Sequence, residues 1–314
     1  MTLHLLIRLA LAFTLVSMQT NAAEPVSTTP VRDEPQNIAK QDWAVRLPNQ
    51  ANVVYRGMPS ADVGGGSTAA MLYPAPNVAG LLAGLVTHGL LVGNSRRLEA
   101  NRRQEAADKV LEPYRATIGE FRYEALFELA LEQKRPGGVS RIALAGESPA
   151  EEWFFVSEPV FSMTQDQRAL IFDSAFIVYA PNSPSTPAYQ NALRVVSSPV
   201  MAEDPTFFWT EQDGKNLKNT SAQLMAMALE LAAAEIARTG AEEVQDAAPS
   251  HKTIRYLEGK TEKIERAELL RITCDRAVLK NLRGGLMWVP LKQPHAYAVS
   301  QTSSLLECGP TVKK

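Results

Sequence analysis

The residues that most often carry out chemistry in proteins are few and scattered in this chain. Its 314 residues include two cysteines and four histidines. Cys274 and Cys308 stand about 34 residues apart, and neither a Cys-x-x-Cys nor a His-Glu-x-x-His spacing occurs. Zinc sites typically use such closely spaced ligands. The sequence therefore predicts no metal site and no bound cofactor.

Motifs of nucleophilic catalysis and of phosphate binding are missing or incomplete. The patterns G-x-S-x-G, S-x-x-K, G-x-G-x-x-G and the P-loop do not occur. Ser148 stands in a turn-like segment, but the second glycine of a nucleophile elbow is missing, since Pro149 and Ala150 follow the serine. The glycine triplet at 64–66 precedes no Lys-Ser/Thr pair, and Glu151 and Glu152 are adjacent on a predicted strand, so they would point to opposite faces. We expect a non-catalytic protein; a hydrolase whose catalytic groups converge from distant positions is the alternative.

The first 23 residues have the three-part pattern of a secretory signal peptide. Arg8 and His4 make a weakly basic start, an apolar run covers 9–16, and small residues end the segment. The apolar run is shorter than the roughly 20 residues that a helix needs to span a bilayer. We therefore expect export to the periplasm or the extracellular space, with cleavage after Ala22 or Ala23. An uncleaved anchor helix is the alternative interpretation.

The two cysteines fit an oxidising compartment. An isolated pair in an exported protein most simply forms one disulfide, here between Cys274 and Cys308. Closing a loop of that length contributes on the order of 3–4 kcal/mol to stability in the chain-entropy model. Two buried reduced thiols are the alternative. The sequence thus predicts a disulfide in the C-terminal part of the chain.

The balance of charges argues against a nucleic-acid partner. The chain has 32 Lys and Arg against 34 Asp and Glu, a formal net charge of -2 at pH 7. An arginine-rich stretch at 96–103 is interleaved with Glu99 and carries no aromatic residue. This pattern is typical of a solvated helix face rather than of a phosphate-binding surface.

The most apolar segment of the expected mature chain is 78–93, which contains two glycine pairs at i,i+4 spacing, Gly80 with Gly84 and Gly89 with Gly93. Such pairs let another backbone approach a helix closely. A helix over this segment would rise about 24 Å, less than the roughly 30 Å thickness of the hydrocarbon core. We expect a buried, close-packed helix. The alternative is a membrane-associated helix that self-associates or packs against a protein partner.

The rest of the chain alternates between helical and β patterns. Two helices at 96–111 and 114–133, joined by a short break, suggest a helical hairpin. Strands are expected at 52–56, at 139–145, 152–163, 168–180 and 188–197, and in the C-terminal part, and on the strand near Phe172 the pattern suggests a sheet covered on one side. A long helix should begin near Asp213 or Asn216 and end near Arg238.

These elements predict an α+β fold: a mainly antiparallel sheet with a helical hairpin and one long helix packed on it. The predicted organisation is a signal peptide at 1–23, a flexible leader at 24–42, an α+β domain at 43–245 and a C-terminal β-hairpin unit at 251–314. The function expected from the sequence is a non-catalytic binding or structural role in the cell envelope. A membrane-associated oligomeric component using the helix at 78–93 is the second hypothesis, and a periplasmic hydrolase with a dispersed site is the third.

Overall fold

The computed structural model describes residues 43–59, 94–134, 139–144, 147, 152–183, 185–241 and 250–293. All of these belong to the unit Asp33–Lys314. The predicted signal peptide, leader and glycine-paired helix lie outside the described residues, so those predictions stay predictions.

Eleven strands form one mixed sheet. The order of its neighbouring strands is β3-β1-β4-β6-β7-β11-β10-β9-β8, and β2 joins through β5, which pairs with β6. The strands are β1 (Trp43–Arg46), β2 (Val54–Gly57), β3 (Val139–Ala143), β4 (Trp153–Ser157), β5 (Val160–Met163), β6 (Leu170–Tyr179), β7 (Pro187–Val196), β8 (His251–Glu258), β9 (Thr261–Thr273), β10 (Arg276–Asn281) and β11 (Leu286–Pro290).

The helices lie before β3 and between β7 and β8. They are α1 (Asn94–Asp108), α2 (Arg115–Glu120), α3 (Tyr123–Gln133) and α4 (Pro205–Ala241), and a 3-10 segment (Lys109–Tyr114) joins α1 to α2. Where the sequence predicted two helices and a short break, the structure thus inserts the 3-10 segment around Pro113 and the short helix α2. Proline lacks a backbone N–H, which explains why the regular helix stops before it.

The α+β class is confirmed, but the mainly antiparallel sheet is confirmed only in part. Of the ten strand pairs among the described residues, six are antiparallel and four are parallel. The parallel pairs are β1 with β3, β1 with β4, β2 with β5, and β7 with β11. Each of them joins strands that are separated in the chain, so no local turn signal could reveal it.

The main hydrophobic core lies on the face of the sheet that α3 and α4 cover. It contains most of the largest fully buried side chains. Burial of one Phe or Leu side chain contributes roughly 1.5–3 kcal/mol to the stability of the fold. Central members are Trp43, Phe127, Phe155, Phe172, Phe176, Trp209 and Leu217. The even-numbered apolar positions of β6 point to this face, as the sequence predicted.

A second core lies on the opposite face of the same sheet. Strands β8 to β11 close on themselves, because Tyr256 on β8 bridges Leu291 just after β11. Their inner residues enclose Ile171 of β6 and Val196 of β7. Both faces of β6 are therefore buried, and the expectation of a sheet covered on one side is wrong. The reason is tertiary: a distant set of strands folds over a face that looked solvent-exposed in the local pattern.

The long helix also begins earlier than predicted. α4 starts at Pro205, where the Asp204 carboxylate accepts hydrogen bonds from the backbone N–H groups of Thr206 and Phe207. Non-helical dihedral angles at Glu211–Gly214 then kink it. The predicted caps lie at and just after this kink: Asp213 has a φ of 56°, and the Asn216 amide donates to the Phe208 carbonyl. The capping pattern therefore marked the restart of the helix.

Candidate functional site

The candidate functional site is a buried cluster of charged side chains between the central strands and the β8–β9 hairpin. Asp173 on β6 and Arg194 on β7 are direct cross-strand partners, so their side chains leave the sheet on the same face. This is the face of Ile171 and the second core. Opposite them, Tyr256 and Glu258 leave β8 toward the sheet, two residues apart on one face of the strand.

Arg194 holds the cluster together. Its Nε donates to Asp173 Oδ1 at 2.7 Å and its Nη2 donates to Asp173 Oδ2 at 2.9 Å, a bidentate pair. Its Nη1 lies 3.6 Å from Glu258 Oε1. The Arg194 side chain is 6% exposed and that of Glu258 is 2% exposed, so this contact joins the hairpin to the sheet out of reach of bulk water.

Two further groups approach Glu258 from the hairpin itself. The Tyr256 hydroxyl donates to Glu258 Oε1 at 3.1 Å, and Lys263 Nζ lies 3.9 Å from Oε2. Among the described residues, Arg194 Nη1 and Glu258 Oε2 have no hydrogen-bond partner within the protein. A buried donor and a buried acceptor left in this state carry a desolvation cost. Glu258 is therefore the least well satisfied member of the cluster.

Burial and the neighbouring charges raise the pKa values of three groups in the cluster. Burial raises the pKa of the Glu258 carboxyl, and attraction by Arg194 and Lys263 offsets only part of this. Burial alone would lower the pKa of the Arg194 guanidinium, but the Asp173 carboxylate more than reverses it, so this pKa is raised. Burial and the nearby Glu258 charge raise the pKa of the Tyr256 hydroxyl. The burial of Glu258 thus disfavours the ionised form of its carboxyl.

A second contact holds the tip of the same hairpin. In the β5–β6 turn, Asp166 Oδ2 accepts the backbone N–H of Lys260 at 2.7 Å, while Oδ1 accepts the Thr164 hydroxyl at 2.6 Å. Gly259 must be glycine here, since its φ is 62° and an added Cβ would stand 2.4 Å from Asp166 Oδ1. Burial works to raise the pKa of the Asp166 carboxyl, but its hydrogen bonds from Thr164, Lys260 and Arg168 outweigh this and hold that pKa below its ordinary value.

A separate buried carboxylate fastens the long helix to the sheet. Glu235 on α4 is 3% exposed and accepts two hydrogen bonds from Arg238, at 2.7 and 2.8 Å. Lys280 Nζ on β10 lies 3.8 Å from it, and the Tyr189 hydroxyl on β7 donates to it at 3.4 Å. These contacts connect α4 to β7 and β10, so we assign Glu235 a structural role.

On the outer side of the β8–β9 hairpin lies a shallow cleft of about 210 Å³. Its lining residues are Arg255, Glu262, Lys292 and Gln293. Glu262 accepts hydrogen bonds from both cations, so its carboxylate compensates part of their positive charge.

Of the site residues predicted from the sequence, Cys274 alone lies among the described residues, and it is not part of the buried charge cluster. Cys274 lies in the turn between β9 and β10 with a φ of 58°. Its predicted partner Cys308 lies outside the described residues, as do all four helix-packing glycines: Gly80, Gly84, Gly89 and Gly93. The disulfide and the glycine-mediated packing therefore stay predictions.

Sequence reasoning missed the buried charge cluster. The sequence pattern correctly placed Asp173 on the face of β6 opposite the apolar residues, but that second face was taken to be exposed to solvent. Arg194 lies within a run of buried strand residues, and Glu258 stands directly before a Gly-Lys turn. A charged residue inside an otherwise apolar strand is the signal that could have suggested a buried ion pair.

Among the residues that the structure describes, no group of three or more His, Cys, Asp or Glu could hold a metal ion. In the same part of the chain, no helix combines the length and the apolar character needed to cross a membrane. Comparison with protein-family models and with curated proteins finds no match.

Proposed function

We propose that this is an exported protein of the cell envelope with a non-catalytic role in binding or structure. The signal-peptide pattern at 1–23 supports export to the periplasm or the extracellular space. The observation that supports the non-catalytic role is that the charged groups of the buried cluster are paired with one another. Arg194 is occupied by Asp173 and Glu258, and both Arg194 and Glu258 are shielded from solvent.

A catalytic carboxylate or arginine has to reach a substrate, whereas these groups reach each other. Buried ion pairs of this kind fix the relative position of the elements that carry them, here the β8–β9 hairpin and the central strands. The geometry therefore supports a scaffold that presents its outer surface to a partner better than it supports a reaction centre.

Fractionation of cells that express the full chain with a C-terminal tag tests the export. The expected product is recovered from the envelope or the medium, and intact-mass measurement shows that it starts at Ala23 or Glu24. Leu11→Arg interrupts the apolar run of the signal and should retain the uncleaved chain inside the cell. Full-length wild-type protein that stays in the cytosol would contradict the proposal.

The non-catalytic role is tested separately on the purified protein. Chromogenic ester, peptide, glycoside and phosphate substrates should show no turnover above a buffer blank. Turnover that copurifies with the chain through several columns and disappears in a site variant would establish an enzyme instead.

A further inference from the structure

The tip of the β8–β9 hairpin is joined to the rest of the protein by two carboxylates of different character. Glu258, the last residue of β8, faces inward toward Arg194. Lys260, two residues later, is held through its backbone N–H by Asp166. The Glu258 contact is buried and incompletely hydrogen-bonded, whereas Asp166 accepts well-formed hydrogen bonds from several donors.

We propose that the tip of the β8–β9 hairpin is a proton-responsive flap, which closes over the Arg194–Asp173 pair more tightly as the pH falls from neutral to mildly acidic. The flap is defined as Glu258, Gly259, Lys260 and the adjoining ends of β8 and β9. The proposal is independent of the proposed function, since it concerns an equilibrium within the fold.

The direction of the pH response depends on whether the closed or the open state of the flap favours protonation of Glu258. In the closed state Glu258 is buried beside Asp173, and its Oε2 has no hydrogen-bond donor, so ionisation is costly. When the tip lifts, the carboxyl meets water and returns to an ordinary glutamate pKa of about 4.3. Closing therefore favours the protonated form. Between these two pKa values, each rise of one pH unit increases the opening equilibrium constant by up to about tenfold for one proton.

Groups on strands β6, β7, β8 and β9 act on the Glu258 carboxyl. Arg194 on β7 and Lys263 on β9 favour its charged form, while Asp173 on β6 opposes it, and Tyr256 on β8 donates a hydrogen bond to it. Glu265 on β9 is half-buried and is attracted by Arg194, and burial raises the pKa of its carboxyl as well.

Asp166 sets the acid limit of the response. Its pKa is lowered in the folded protein, so its stabilising contribution is present above an ordinary aspartate pKa of about 3.9 and is lost only as the pH falls below that range. The flap should accordingly be most tightly closed in mildly acidic solution. It should loosen toward neutral pH through Glu258 and at strongly acidic pH through Asp166.

Hydrogen exchange measured by mass spectrometry on peptides from 251–273 tests the proposal. Exchange is recorded between pH 5 and pH 7.5 and corrected for the intrinsic pH dependence of amide exchange. The wild-type opening constant is expected to rise with pH by several-fold, and Glu258→Gln should remove most of this slope. Glu262→Gln is the matched control: its partly exposed carboxyl accepts hydrogen bonds from Lys292 and Arg255, which lower its pKa, so it stays ionised over this pH range. Measuring all variants in a His251→Gln background removes the one histidine of the hairpin.

A flat wild-type profile, or a Glu258→Gln profile with the wild-type slope, would overturn the proposal. If Glu258→Gln does not fold, carboxyl carbon NMR of the wild-type chain gives an independent answer. A Glu258 titration midpoint above about 4.3 is expected, and a midpoint at or below that ordinary value would overturn it too.

Discussion

At the scale of single residues, Arg194 determines whether the buried carboxylates of this sheet are tolerated. Its guanidinium forms a bidentate pair with Asp173 and lies 3.6 Å from Glu258. Removing one partner of a buried ion pair leaves the other charge without compensation, which costs far more than the pair contributes. The stability of the hairpin–sheet interface therefore depends on this one side chain.

Arg194→Met tests that dependence. The variant keeps the aliphatic volume and removes the charge, so we expect it to lower the free energy of unfolding by about 3–5 kcal/mol at pH 7. Urea denaturation followed by circular dichroism measures the change. Arg255→Met, on the exposed outer face of the same hairpin, is the control and should leave the midpoint almost unchanged. A small effect of Arg194→Met would mean that water already compensates the buried carboxylates.

At the scale of elements, the close approach of β2 to α1 shows how backbone contacts fix the helical layer. The Gly57 N–H donates to Asp108 Oδ1 at 2.7 Å, and the Gln104 amide donates to the Gly57 carbonyl at 2.9 Å. A Cβ on Gly57 would stand 1.8 Å from the backbone oxygen of Ala107. Glycine is thus required by the contact between these two elements.

Gly57→Ala should therefore separate β2 from the end of α1 and destabilise the protein by at least about 1–3 kcal/mol, the usual cost of overpacking. Gly119→Ala is the matched control: nothing lies within 4 Å of its Cβ position, and alanine favours a helix by up to about 1 kcal/mol. Thermal unfolding of the two variants should shift the midpoint in opposite directions. Equal shifts would show that the close contact at Gly57 relaxes without cost.

The hairpin turns could be predicted from the sequence, but the pairing of distant strands could not. The turns at Thr164–Asp166, Gly259-Lys260 and Gly284-Gly285 join antiparallel neighbours and carry turn-forming residues, and local residue chemistry of this kind is enough to predict a hairpin. The parallel pairing of β7 with β11 was not predictable from local signals. The buried charge cluster depends on that pairing, since it brings the C-terminal strands to the face that carries Asp173 and Arg194.

At the scale of the whole molecule, one sheet supports two cores on its opposite faces. The helices cover one face, and strands β8 to β11 cover part of the other. The two-residue turn that carries Cys274 joins β9 to β10. It therefore lies at an end of the second core. A covalent link from this turn to the C-terminal segment would constrain the strands that cover the buried charge cluster.

The predicted link between Cys274 and Cys308 is testable on protein recovered from the cell envelope or the medium. Mass spectrometry of unreduced peptides should show the two residues joined, and reduction should lower the free energy of unfolding by about 3–4 kcal/mol, the loop-closure contribution in the chain-entropy model. Cys308→Ser leaves the β9–β10 turn intact, so its stability should match that of the reduced wild type and should not respond to reductant. If the thiols of secreted material react with an alkylating reagent before reduction, the C-terminal segment is not held by a disulfide, and the second core must be stable on packing and ion pairing alone.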